Sequence, residues 1–170
     1  SAPVVRDRAV CAAWMTVLGR ACALAAGADA QLLDESLQYV NEALPLYHGL
    51  GQRFASASNV DVLGYVYLPA IPTELDVAVC LIHEAMHQKL FRLEAAVHLF
   101  APDSPVEETF YSPWRNDPRP LRMVLHGCYV FTFVVNLWAR WAELPLSELD
   151  GTSSPTEIAF QRASEVLAGV

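Results

Sequence analysis

The stretch from Asp76 to Phe100, DVAVCLIHEAMHQKLFRLEAAVHLF, constrains the fold of this chain more than any other. Its apolar run Val77 to Ile82 leads straight into His83-Glu84-Ala85-Met86-His87, an HExxH sequence, and reads as a buried helix. Pro72, Thr73 and Asp76 predict its start, a capping box in which Asp stands in for the usual Glu or Gln. On a helix, residues four apart share a face with Cβ atoms about 5 to 6 Å apart, so His83 and His87 can turn imidazole nitrogens onto one metal ion. Glu84 lies about 100° round the helix from His83, off that face but within reach of a metal-bound water. With five histidines in 170 residues, about 0.01 copies of this motif arise by chance. The plain alternative is a pair of core histidines satisfied by backbone carbonyls, because imidazoles buried without partners are costly.

A helix of this kind needs a core around it, and 54% hydrophobic against 18% charged content predicts one compact domain over residues 1–170. Its expected class is mainly α (α+β), with the HExxH helix, a second helix contributing to the metal, and a small β-hairpin or sheet. The net charge of −8, with Lys89 the single lysine, argues against a nucleic-acid partner. Arg, Glu or His breaks the longest apolar stretches before about 18 residues, so no membrane span is expected, and no basic-then-apolar segment marks a signal peptide. Cys11, Cys22, Cys80 and Cys128 fall inside apolar helical patterns without CxxC spacing, which predicts buried, reduced thiols and a cytoplasmic protein.

Taken in order, residues 4–26 read as a helix stopped by Gly27, and a second runs from Asp29 to Leu44 and is ended by Pro45. Both serve as scaffold. His48 falls in the loop that follows. From Arg53 the pattern alternates, predicting strands at about Arg53 to Ala57 and Val62 to Leu68 that wall a cleft or offer an edge to an extended peptide. Pro102 to Pro105 is a loop, and Glu107 to Thr109 reads as a helical turn. Three prolines and three arginines between Pro113 and Arg122 predict a fixed loop, after which Pro120 opens a long helix from Leu121 to about Trp141, ahead of Pro145. Ser154, Pro155 and Glu157 cap a last helix through Ala168.

The third metal ligand decides the chemistry. A metzincin pattern is excluded, since Leu90 and Leu93 stand where its Gly and third His belong. Glu107 and Glu108 lie off any helical glutamate pattern, Glu94 is about 10 Å farther along the helix axis than His87, and His98 is farther still. His126, arriving from the second turn of the long helix, is the best geometric candidate; a lone His on an apolar helix is otherwise a satisfied core residue. Residues alone leave three functions open: a zinc metallopeptidase in which Glu84 activates water, an iron oxygenase, or a non-catalytic metal-containing domain that binds peptide.

HEAMHQKL followed by SPWRNDPRPLRMVLHGCYVF resembles the HExxH-motif peptide-modifying proteins, iron and 2-oxoglutarate-dependent hydroxylases associated with ribosomally synthesised peptides. The resemblance spans about Val62 to Trp138, and its second stretch is the more specific. It implies Fe(II) on His83, His87 and His126, 2-oxoglutarate chelating the remaining positions, O2 as oxidant and a side chain of a precursor peptide as substrate. Glu84 then acts in support of the catalytic centre rather than as a general base. A co-substrate with a distal carboxylate needs a fork-shaped cation, the task Arg performs best. Arg122, four residues from His126 on the same helical face, is the first candidate, with Arg119 second and Arg115 third; Trp114 would wall the pocket. The plainer reading of these four is a basic loop paired with Asp117 and anchored by its tryptophan.

Overall fold

The computed structural model describes residues 8–46, 56–70, 73–105, 108–112, 114 and 117–144. His48, most of the first expected strand, Pro72, Glu107, Arg115, Pro145 and the expected helix from Ser154 to Ala168 lie outside them. The described residues are mainly helical with a small sheet, as expected, and the chain divides into two compact units, Ser1–Leu93 and Glu94–Val170.

In the first unit, α1 (Arg8–Leu37) is two helical pieces joined at Asp29, whose backbone is extended. The Asp29 carboxylate accepts the Leu32 N–H at 2.9 Å, an N-cap that restarts the helix where the sequence predicts. The second piece is shorter than expected. It ends at Leu37, and residues predicted to continue it form strand β1 (Glu42–Leu46). Helical spacing of Leu37, Val40 and Leu44 is a local signal, and a partner more than twenty residues away overrides it. That partner is β3 (Tyr65–Pro69), which pairs with β1 in parallel, Glu42 opposite Tyr65 and Leu46 opposite Pro69. Pro45, which cannot donate to a ladder, is tolerated because β1 is an edge strand.

β2 (Ala57–Ser58) completes the sheet antiparallel to β3, which begins three residues later than the expected Val62. Gly64 turns the chain into β3 at φ 86°, a conformation that disfavours a side chain, and its carbonyl accepts the N–H groups of Asn41 and Glu42. β3 alternates, burying Val66 and Leu68 while Tyr65 and Tyr67 face out. The Trp14 indole N–H reaches the Pro69 carbonyl at 3.1 Å and so ties α1 to the end of β3.

The motif helix, α2 (Glu74–Ala96), opens with the expected reciprocal cap. Asp76 N–H donates to the Thr73 hydroxyl at 3.1 Å, and the Asp76 carboxylate accepts the Thr73 N–H at 3.2 Å. Val77, Ala78, Leu81, Ile82, Ala85 and Met86 are buried, as the apolar run requires.

In the second unit, β4 (Thr109–Phe110) pairs antiparallel with β5 (Arg119–Pro120), and both lie against α3 (Leu121–Glu143). Thr109 is thus in a strand and not in the expected helical turn, because its backbone pairs with the far end of the proline-rich loop. The two-residue ladder pins both ends of that loop. Pro120 takes the N-cap position of α3, close to the first-turn place predicted for it.

α1 and α3 are each long and apolar enough to cross a bilayer by length and composition alone, a test that core helices also pass. One expectation changes. Cys80 alone is buried; Cys11 and Cys128 are exposed and Cys22 is intermediate, because the helices carrying them turn those positions away from the core.

Candidate functional site

Two neighbouring rows of residues on α2 define the motif. Glu84 and Gln88, four apart, face the hairpin. The Ser56 hydroxyl, just before β2, donates to the Glu84 carboxylate at 2.6 Å. Gln88, fully buried, accepts the Gly64 N–H at 2.7 Å and donates to the Tyr65 carbonyl at 3.1 Å. These bonds span both ends of the hairpin and fix the rotation of α2 about its own axis. The adjacent row, His83, His87 and Phe91, is therefore turned to the more open side.

His83 and His87 stand with ring centroids 4.8 Å apart, nearly edge to face, and Phe91 stacks on His87 at 6.0 Å. The His83 side chain keeps 25% of its surface exposed, while Glu84 is buried. Burial pushes the His83 imidazole down to about 4, so it is neutral at pH 7 with a lone pair to offer. Glu84 Oε1 is 4.0 Å from His83 Nε2, which sets a carboxylate beside that ring nitrogen. Imidazole nitrogens are the donor type that divalent metals of the zinc or iron class take.

His126 belongs to the second unit. It is 1% exposed, and its Nε2 is 3.1 Å from Glu94 Oε2. Arg122, one turn before it on α3, grips the same carboxylate: Nε is 3.0 Å from Oε1 and 3.1 Å from Oε2, and Nη2 is 2.6 Å from Oε2. Burial works against the charge on Glu94, but the bonds from Arg122 and His126 outweigh it and hold the carboxyl below its usual range. Burial lowers His126 in turn, against the pull of Glu94. Among the described residues, no three His, Cys, Asp or Glu side chains form a ready metal cluster.

The remaining expected residues come from the proline-rich loop. Arg119 Nε pairs with the exposed Asp117 at 3.1 Å, a partly exposed ion pair. Trp114 lies against Gly127, where a Cβ would collide with the indole, and packs on Phe131 at 5.2 Å. It anchors the loop to α3 one residue past His126. Arg115 lies outside the described residues.

The sequence reading gives no role to three residues of this arrangement. Gln88 carries a signal, a polar side chain four residues from Glu84 within a buried helical face. Glu94 drops out on its distance from His87, a criterion blind to its bond with His126. Ser56 carries no local signal, since only the hairpin brings it to Glu84. No family model matches this sequence, and neither does any curated protein.

Proposed function

We propose that this protein is a metal-dependent oxygenase that hydroxylates a side chain of a ribosomally synthesised precursor peptide, using Fe(II) and 2-oxoglutarate. The observation that carries the metal site is the α2 arrangement: two histidines one turn apart on a half-buried row, His83 neutral, with a buried carboxylate held at 4.0 Å from its Nε2. The iron chemistry and the assignment of His126 as third ligand rest on the family resemblance. When bound, Fe(II) and 2-oxoglutarate supply an O2-derived oxidant, with succinate and CO2 as co-products.

The protein's own groups have separable tasks in this reading. His83 and His87 provide ring nitrogens from a helix whose rotation Glu84 and Gln88 lock. Glu84, tied to Ser56, orients what binds at His83. Arg119 takes over as first candidate for the distal carboxylate, since its partner is an exposed aspartate, whereas Arg122 is spent on Glu94. Trp114 holds the loop that carries Arg119.

One observation favours a second reading. A carboxylate beside His83 Nε2 also suits the general base of a zinc peptidase, which would take a proton from metal-bound water. Anaerobic reconstitution with Fe(II) and 2-oxoglutarate followed by O2 separates the two. The oxygenase releases succinate, adds one oxygen atom to the peptide, and keeps measurable turnover in Glu84→Gln. Peptide fragments formed by the zinc-loaded protein without O2, and lost in Glu84→Gln, would establish the peptidase instead. Metal binding with neither reaction would leave a peptide-binding domain.

A further inference from the structure

We infer that Glu94 is the positioning residue of His126: it holds the ring as the Nε2–H tautomer, so that Nδ1 is the nitrogen with a lone pair, and Arg122 is the clamp on Glu94. The first half stands on the geometry of the second unit alone. The consequence for metal binding rests on the proposed function.

The argument starts from Arg122. A guanidinium is charged at every accessible pH, and its two-pronged grip on both Glu94 oxygens keeps that carboxylate ionised. An ionised carboxylate only accepts hydrogen bonds. The 3.1 Å contact with His126 Nε2 is then a bond that the ring donates, which settles the tautomer of the neutral imidazole. At 1% exposure the ring cannot exchange this partner for water.

The spacing also has a purpose. Arg122 and His126 are four apart on α3, so both converge on one carboxylate, and Oε2 receives Arg122 Nη2 and His126 Nε2 together. Metal-ligating histidines characteristically donate their second ring N–H to a carboxylate, which orients the ring and strengthens it as a ligand. Glu94 supplies that partner and Arg122 fixes the partner in turn. An arginine so engaged is part of the support of His126 and is not a fork waiting for a co-substrate.

Long-range 1H–15N correlation spectra of the histidine-labelled, metal-free full chain test the first half. Wild-type His126 is expected as the Nε2–H tautomer, with that preference lost in Glu94→Ala and kept in Glu94→Gln, whose amide oxygen still accepts. A wild-type Nδ1–H tautomer, or an unchanged tautomer in Glu94→Ala, overturns the inference; if Glu94→Ala fails to fold, the wild-type spectrum decides. Competition between Co(II) and a chelator tests the second half. Affinity should fall by about 10 to 100-fold in Glu94→Ala, with a changed Co(II) absorption spectrum. Equal affinity and spectrum in the two proteins would refute the positioning role. If wild type binds no Co(II), Fe(II) or Zn(II), the proposed function fails while the tautomer result still stands.

Discussion

Gly127 sits where a single methyl group would be felt. The Trp114 indole occupies the space that a Cβ would need, so Gly127→Ala must push the ring, and the loop it anchors, off α3. Overpacking of this kind costs about 1 to 3 kcal/mol, and urea denaturation should show a loss in that range. Cys80 offers a contrasting case. Burial pushes its thiol up to about 12, and only the thiolate is a nucleophile. Brief alkylation of the native protein at neutral pH should therefore label the exposed Cys11 and Cys128 and spare Cys80, with peptide mass mapping as the readout. Labelling of Cys80 at the same rate would mean that the buried face of α2 opens.

At the scale of an element, α2 depends on how it begins and how it is rotated. The Thr73–Asp76 box satisfies N–H groups that the first turn of a helix leaves without partners. Thr73→Ala should cost about 0.5 to 2 kcal/mol by thermal or urea unfolding, as the loss of an N-cap does. Rotation depends on Gln88, whose side chain bridges the turn of the hairpin. Gln88→Leu leaves the buried Gly64 N–H without its acceptor, at a cost of about 1 to 3 kcal/mol. The same substitution should also weaken metal binding at His83 and His87, because the row they occupy is set by the row beside it; unchanged Co(II) affinity in a folded Gln88→Leu protein would argue against that coupling.

For the whole molecule, a metal that binds only the folded state adds stability by mass action, about 2.7 kcal/mol at a hundred times its dissociation constant. Tm should rise with Zn(II) or Co(II) concentration in wild type, and this dependence should disappear in the His83→Ala, His87→Ala double variant. Tm independent of metal in wild type would remove the basis of the α2 site. The control is Glu74→Gln, which breaks only the exposed pair with Arg20 and should leave the metal response intact.

Local chemistry determined much of this protein from the sequence alone. The capping box at Thr73, the helix restart at Asp29, the pairing of His83 with His87 and the shared face of Arg122 and His126 each depend on residues within four positions of one another. Backbone geometry relates such residues whatever surrounds them. Contacts made across the chain were decided only in three dimensions: the strand that replaces the end of the second helix, Ser56 on Glu84, Gln88 on the hairpin, and Glu94 between Arg122 and His126. Their partners lie from 23 to 32 residues apart for the side-chain bonds, and no helical or strand period runs that far. Arg122 shows the consequence most clearly. Its spacing from His126 is legible in the sequence, but Glu94, the acceptor for its guanidinium, comes from another helix.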